Sequence, residues 1–445
     1  MKILFILPAI GRKDGEEYIG TWKMEPLTIA TLKALTPPNI KTFFFDDRIE
    51  DIDYDIDVDM VAISVETYTA SRAYKIAQKF RQKGVSVIMG GYHVTSIPDE
   101  TLEYCDSIII GNAETVWNQM IEDFQNASLR RRYEGERGGI PPMPDRSIYA
   151  GKKYLPVTLI ETGRGCPHTC EFCAITSYYY GKYTPRPIDD IVAEIKQSEN
   201  KVIFFVDDNL TAHRSHLFAI CKAITPLKVK WTSQVSLSVA KDDELLKAMK
   251  DSGCQLVLIG FESLDKANLD QMNKSWNYQL GERDKMVRRI HDVGIGIYAT
   301  FVFGFDNDAV ESFDNTVAFA MKHKFFFAAF NHHLPFPGTP LYERLQEDDR
   351  LLYDKWWLKG DYKYGDIPYY PQKISPEELK DYCADARRKF FKPSNIFKRG
   401  IASIFRNANP FMTAVFFSQN KALGKEINRK LDLPVGTGLD EGGVK

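Results

Sequence analysis

No stretch of this chain approaches roughly 18 consecutive apolar residues, so nothing in it reads as a membrane-spanning helix. Net charge is nearly absent as well. The 58 Lys and Arg stand against 60 Asp and Glu, a formal net of −2, and no overall field draws the protein to nucleic acid. The opening MKILFILPAI lacks a small-residue cleavage site, and Pro8 with the following Gly/Lys turn reads as the end of a first strand rather than as a signal segment. No GxGxxG follows that strand, which disfavours a dinucleotide site. The seven cysteines do not form two separated pairs, the usual text of a structural zinc site. Four of them (Cys105, Cys221, Cys254 and Cys383) are scattered and read as buried free thiols, a usage that suits a reducing cytoplasmic compartment.

What is present centres on GCPHTCEFC, which sets Cys166, Cys170 and Cys173 in a CxxxCxxC spacing. Three thiolates from one short loop hold three irons of a 4Fe-4S cluster and leave the fourth without a protein ligand. A small molecule can bind at that open iron and receive an electron. With Phe172 directly before the third cysteine, the loop resembles the signature of the radical S-adenosylmethionine (SAM) superfamily. The resemblance implies a 4Fe-4S cluster on Cys166, Cys170 and Cys173, with SAM on the open iron and Phe172 beside it.

At 445 residues the chain is long enough for two or three domains. Residues 2–7, 40–45, 60–65, 85–89 and 107–110 are short β-branched or aromatic apolar runs, with helix-length segments 25–35, 70–83 and 113–125 among them. The alternation predicts a doubly wound, Rossmann-like α/β domain over 1–130, its ligand site at the C-terminal strand ends. Turn residues gather there: Asp46-Asp47, Glu66-Thr67, Gly90-Gly91 and Gly111. The phrases VIMGGYHVTSIPDE and IIIGNAETVW resemble the cobalamin-binding domain that precedes the barrel in one large radical SAM class, although Asn112-Ala113 is less glycine-rich than the usual turn. That resemblance places Asp46, Glu66, Thr67, Gly90, Gly91, His93, Gly111 and Glu114 along cobalamin. A flavodoxin-like domain using the same turns for packing is the alternative. Cobalamin proteins that ligate cobalt through histidine carry DxHxxG, absent here, so cobalt is expected with neither its own base nor a protein histidine. Tyr68 and Arg72 are candidates for the underside of the corrin, with an ordinary helix start as their plainer use.

Residues 131–155 are polar and rich in Gly, Pro and Arg and read as a linker. Beyond it, LPVTLIETGRGC runs as a strand into the cysteine loop. Strand text recurs at 202–209, 228–236, 254–263, 296–305 and 326–333, with helices such as 187–197, 242–252 and 282–293 between. About six parallel strands with crossover helices predict an open barrel over 156–345, with functional loops at the C-terminal strand ends. Asp207, Asp208 and Asn209 close the second strand, Gln234 the third, Glu262 and Ser263 the fourth. An acidic side chain there can hold ribose hydroxyls or the SAM ammonium by charge-assisted hydrogen bonds. The phrases around Asp208, Gln234, Glu262 and Ser263 resemble SAM-pocket text of the family; strand-end pairing is the structural alternative for each. Asp306 follows the fifth strand as a SAM-pocket or helix-capping candidate. Asn331, His332 and His333 end the last strand as substrate or general-base candidates, against simple loop packing.

The remaining 346–445 reads as an aromatic loop, then helix from Ser375, which fits an N-cap with Pro376 at N1 and Glu378 at N3. Between Lys389 and Lys430 nine Lys/Arg face one acidic residue, Glu426, interleaved with Phe397, Ile401, Ile404, Phe405, Phe411, Val415 and Phe416. A basic amphipathic segment can rest on a membrane surface; a helix docked on the barrel with a solvated basic rim is the alternative. PVGTGLDEGGVK reads as a disordered tail. The family resemblance, to the class that includes hopanoid and bacteriochlorophyll methylases, implies methylation of an unactivated carbon. It further implies the cofactors 4Fe-4S cluster, SAM and cobalamin, a small-molecule or lipid substrate and a reductase supplying electrons. A radical cyclase or oxidase on the same scaffold, or a cobalamin-binding sensor, are the competing readings.

Overall fold

Two six-stranded parallel sheets organise the molecule. A computed structural model describes residues 1–275, 283–407 and 409–437, with the side chains of residues 403 and 405–407 outside the description. The first sheet contains β1 (Lys2–Leu7), β2 (Lys41–Asp46), β3 (Met60–Ser64), β4 (Ser86–Gly90), β5 (Ser107–Ile110) and β6 (Arg132–Glu134) in the order β2-β1-β3-β4-β5-β6. Its inner strands β1, β3, β4 and β5 are apolar runs because both of their faces are covered. Leu4, Ile6, Val61 and Ile63 feed one core, under the helices Ala70–Gln82 and Pro98–Tyr104. Ile3, Phe5, Met60 and Ala62 feed the other, under Leu27–Leu35 and Trp117–Gln125. Each fully buried aliphatic or Phe side chain contributes ~1.5–3 kcal/mol. The strand order reverses between β1 and β3, which opens a crevice at the carboxyl ends.

β6 lies inside the stretch expected to be linker. Only Tyr133 of its three residues is buried, hydrogen-bonding Asp123 at 2.8 Å, so an edge strand with a single core residue carries no apolar signature.

The second sheet contains β7 (Thr158–Ile160), then, after a two-stranded ribbon of β8 (Gly163–Arg164) and β9 (Thr184–Pro185), β10 (Val202–Phe205), β11 (Lys230–Gln234), β12 (Cys254–Glu262), β13 (Gly296–Phe303) and β14 (Phe327–His332). The order β14-β13-β12-β11-β10-β7 leaves β7 and β14 as edges, so the barrel is open. Alternate residues such as Ile203, Val257, Ile259, Ile297, Phe301 and Phe330 pack outward on the crossover helices. Their neighbours on the opposite face, Phe204, Thr232, Leu258, Thr300, Val302 and Ala329, stay half-exposed. Period-two alternation therefore leaves a lumen that solvent reaches.

The C-terminal region binds the two sheets together. Trp356, Trp357, Tyr362 and Val435 are buried in a core of the first sheet. The helix Pro376–Phe390 packs on β14, and Ser375 caps it as expected, its Oγ accepting from the Glu378 amide at 3.2 Å. The helix Pro410–Lys430 starts against the barrel, where Phe416 meets Phe326 edge-on at 5.1 Å. It ends against the first domain, with Lys430 over the Trp22 ring at 5.0 Å. The expected tail is partly structure. Val435 is 3% exposed, and the Gly436 amide donates to the Ile10 carbonyl at 2.7 Å; residues 438–445 lie outside the described residues.

Candidate functional site

The cysteine loop leaves the top of β7 and is held from several sides. Asp207, at the end of β10, accepts from the Thr162 amide at 3.0 Å and hydroxyl at 2.7 Å, and Asp208 accepts from the Gly165 amide at 3.1 Å. Burial pushes Asp207 up to about 7 and Asp208 up to about 6. Asn273 donates to the Thr169 carbonyl at 2.9 Å, and the Asn209 amide lies 3.9 Å from Cys166 Sγ. Cys170 is buried, Cys166 and Cys173 half-buried. Burial pushes the Cys170 thiol up to about 12 and Cys166 upward, so both stay protonated until a metal displaces the proton.

Among the described residues no group of three or more His, Cys, Asp or Glu is placed to hold a single metal ion. A 4Fe-4S cluster makes a different demand, because each thiolate meets its own iron. The other four cysteines are 0–2% exposed in apolar cores. Three loop thiols with no fourth nearby are the donor set such a cluster with one open iron requires.

Around the loop, Gln234 donates to the Asp208 carbonyl at 2.8 Å, and Phe172 meets Phe305 edge-on at 6.3 Å. Ser263 Oγ accepts from the Asp265 amide at 3.1 Å, which ties it to its own turn. Asp306 pairs with Arg350 at 2.9 Å rather than capping a helix. Glu262 follows a register shift in β12 and has φ +59°, a left-handed conformation that re-aims its side chain. There it forms a buried ion pair with Lys274 at 2.7 Å. Burial works against the Lys274 charge, but the Glu262 carboxylate outweighs it and holds the ammonium above its ordinary value. Lys274 had no signal in the sequence, being joined to Glu262 only by folding.

At the carboxyl ends of β3, β4 and β5 lies a cavity of about 390 Å³. Glu66, Gly90, Gly91, Gly111 and Glu114 line it, together with Glu161, Arg164, Tyr178 and Tyr179 from the second sheet's side. Glu66 opens on this cavity yet is surrounded by protein, and burial pushes its carboxyl up. Arg164 bridges the two halves, reaching Glu114 at 2.7 Å and Glu161 at 2.8 Å. The glycines differ in purpose. A Cβ at Gly91 would stand 2.6 Å from the Val65 carbonyl and one at Gly111 2.4 Å from the Gly135 carbonyl, so both are demanded by the chain's own packing. At Gly90 the nearest atom would be at 3.7 Å, so that position leaves room. An apolar floor of Ala62, Ile88 and Ile109 with a polar rim suits a large ligand.

Three expected lining residues turn away from this cavity. Asp46 is fully buried and pairs with Arg48 at 2.7 Å and Tyr154 at 2.9 Å. Thr67 is 2% exposed. His93 is 0% exposed, with Nε2 3.0 Å from the Tyr74 hydroxyl and 3.3 Å from Glu100, because helices on the sheet's far side supply it with partners. Arg72 is likewise structural, binding Asp47 through Nε and Nη2 at 2.9 Å each. Tyr68 packs on Trp356 at 5.1 Å and Tyr364 at 5.4 Å.

At the end of β14, His333 is locked in place. It is 4% exposed, its Nε2 lies 2.9 Å from the Gly304 carbonyl, and it stacks on Phe305 at 4.6 Å. Burial pulls His332 and His333 each down to about 3, so both are neutral imidazoles at neutral pH and neither serves as a cationic acid. Asn331 is exposed and accepts from Arg387 at 3.0 Å.

A doubly wound domain whose ligand crevice faces an open barrel with a three-cysteine loop defines a cobalamin-binding radical SAM protein. The comparisons agree: residues 160–320 match the radical SAM superfamily and residues 33–120 the B12-binding domain. The bacteriochlorophyllide d C-12(1)-methyltransferase of Chlorobaculum tepidum is 31% identical over 391 residues, 84% of each chain. The anaerobic magnesium-protoporphyrin IX monomethyl ester cyclase of Cereibacter sphaeroides is 25% identical over 89% of this chain and 71% of its own. The fold is shared with the radical SAM methyltransferase TsrM of Kitasatospora setae, at TM-score 0.65 and 15% identity over 96% of this chain and 99% of that one. The chain belongs to the cobalamin-dependent radical SAM enzymes, with a 4Fe-4S cluster, SAM and cobalamin as the family's cofactors.

Proposed function

We propose that this enzyme methylates an unactivated carbon of a tetrapyrrole-like macrocycle. The observation that carries the reading is the 31% identity, across 84% of both chains, to a bacteriochlorophyllide methyltransferase. Cys166, Cys170 and Cys173 would hold the cluster, and Asp208, Gln234 and Glu262 would face SAM. Glu66, Gly90 and Glu114 would face cobalamin. When bound, these groups supply a radical that removes a substrate hydrogen and a methyl group to replace it. The protein's own work is placement. Asp207 and Asp208 fix the root of the cysteine loop, and the buried Glu262–Lys274 ion pair holds the Glu262 side chain in place beside it. Arg164 holds the cavity of the first sheet against the loop of the second. The half-exposed lumen residues Thr300 and Val302 would face the substrate. A reductase delivering single electrons is the required protein partner.

The cyclase relative supports a second reading, oxidative ring closure without methyl transfer. Incubation of the reconstituted enzyme with methyl-labelled SAM and bacteriochlorophyllide separates the two. Label in the macrocycle is expected, and an unlabelled, oxidised product would replace methylation by cyclisation.

A peripheral membrane contact through residues 389–430 belongs to the same proposal in reduced form. Phe397, Ile401, Ile404 and Phe411 are 41–61% exposed, whereas Met412 and Phe416 are buried on the barrel; the Phe405 side chain lies outside the described residues. Arg399 is buried, and Lys389 and Lys430 are spent on Asp314 and Glu426. Exposed Lys392, Lys398, Lys421 and Lys425 remain to meet an anionic surface. No helix among the described residues is long and apolar enough to cross a membrane.

A further inference from the structure

Three parts of the chain meet at the open seam of the barrel, and an arginine stands there with no counter-ion among the described residues. Arg387, on the helix Pro376–Phe390, is half-buried. Its Nε donates to the Phe330 carbonyl at 2.9 Å and its Nη2 to Asn331 Oδ1 at 3.0 Å. Those bonds seat it on β14 and leave other guanidinium donors unused by them. Its basic neighbours are neutralised: Lys380 by Asp366 at 2.8 Å and Asp432 at 2.6 Å, Lys430 by Glu426 at 3.0 Å. Among the described residues no carboxylate lies within ion-pair distance of Arg387.

The space beside it is aromatic and accessible. Tyr68 comes from the first domain, Tyr298 from the lumen-facing row of β13, Tyr364 from the C-terminal region, and each is half-exposed. Tyr68 and Tyr364 lie 5.4 Å apart between ring centres. The Arg387 charge acts on the phenols of all three and on His332. The phenols stay neutral, since burial pushes each of them up, and His332 stays neutral as burial pulls it down. None of these groups can serve as the missing anion.

We propose that Arg387 anchors a carboxylate, or another anionic group, of the apolar substrate that enters the lumen through this seam. A guanidinium in a half-buried aromatic setting binds a carboxylate through charge-assisted, often bidentate, hydrogen bonds. The Tyr68, Tyr298 and Tyr364 faces offer apolar surface to the body of the same molecule. This rests on the lumen being the reaction chamber, as the proposed function holds, and it names the substrate as an anionic amphiphile rather than a neutral one.

The test compares full-length wild type with R387M and R387K. Two probe pairs are used: 1-pyrenebutyrate against 1-pyrenebutanol, and protoporphyrin IX against its dimethyl ester, each followed by fluorescence titration. Wild type should prefer each acid over its neutral form by about tenfold or more. R387M should lose that preference with the affinity for the neutral forms unchanged, and R387K should keep part of it. A preference for pyrenebutyrate that depends on Arg387, without one for protoporphyrin, would keep the anchor and remove the tetrapyrrole reading. Equal binding of acid and neutral forms by wild type would overturn the anchor. So would an R387M variant that melts at lower temperature yet keeps the acid preference, since Arg387 would then only clamp β14.

Discussion

The two sheets are both six-stranded, parallel and built from apolar text, yet they present ligands with different places. The first buries both faces of its inner strands, Ile63 to one core and Ala62 to the other, so what these strands offer a ligand lies beyond the strand ends. The second buries one face, Phe301 and Ile259, and keeps Thr300 and Leu258 half-open inside the curve. A sheet covered twice can hold a large cofactor only as a lid over its carboxyl edge. A sheet curved around a lumen can enclose a substrate and aim a reactive fragment at it. The difference is written in polarity: IYATFV on β13 sets Thr300 in mid-strand, where a twice-covered strand such as MVAIS on β3 has no polar residue until its last position.

The largest expected effect breaks one sheet's function while sparing the other's. C170A should lose the iron–sulfur cluster and all SAM cleavage, because the other four cysteines are buried elsewhere. Cobalamin binding, housed over the first sheet, should persist. Iron and sulfide content, cobalamin absorbance and 5′-deoxyadenosine release read these together. Full SAM cleavage by C170A would remove the ligand assignment.

Next in size is a pair of neighbours on β13. F301A empties a fully buried site and should cost about 3–5 kcal/mol of stability. T300A, one residue away but facing the lumen, should change stability by only about 0.5 kcal/mol while altering product yield. Equal destabilisation by the two in chemical unfolding would mean that the lumen is packed core and that the contrast between the sheets is false.

A smaller effect concerns what joins the sheets. Glu100, on the first domain, accepts from Trp357 of the C-terminal region at 2.9 Å. Burial opposes its charge, but hydrogen bonds from His93, Trp357, Lys355 and Tyr74 outweigh that and hold it down to about 2. A depressed carboxyl stabilises the fold above its unfolded value, near 4.5, and loses that contribution as pH falls toward 2. E100Q should therefore cost about 1–3 kcal/mol at neutral pH and flatten the acid limb between those values. An unchanged acid limb in thermal melts would assign the linkage to other groups.

These cases show what the sequence made legible. Strand positions in the first sheet followed from runs such as KILFIL and VIMG, because burial on both faces leaves no ambiguity of period. Arg132–Glu134 escaped since its outer residues face solvent. The cysteine loop was legible because all three thiols are local. Lys274, Arg164 and Arg387 were not, for each acquires its meaning from a partner that only folding supplies: Glu262, Glu114 and the β14 edge. The Arg of GRGC, so close to Cys166, was the one such residue with a local hint. His93 misled for the same reason in reverse: its neighbouring glycines belong to the cavity turn, while its ring belongs to Tyr74 and Glu100.

The smallest expected effect concerns an apolar face that neither sheet covers. The helix Pro393–Asn407 exposes Phe397, Ile401 and Ile404, while the next helix spends Met412 and Phe416 on the barrel. Docking on the barrel thus accounts for the second helix and for the face of the first that carries Ile396 and Arg399, but not for the exposed row of Phe397, Ile401 and Ile404. Lys392, Lys398, Lys421 and Lys425 are exposed and form no ion pair with a described residue. At about 1 kcal/mol each near an anionic surface, four lysines give reversible rather than permanent attachment. Co-sedimentation with phosphatidylserine-containing vesicles should therefore be detectable at low salt and weaken severalfold at high salt. The double variant F397S/I401S removes exposed side chains only, so its melting temperature should match wild type while vesicle binding falls. Binding that is absent at low salt, or unchanged in the double variant, would leave this face without a membrane role and confine ligand recognition to the two sheets.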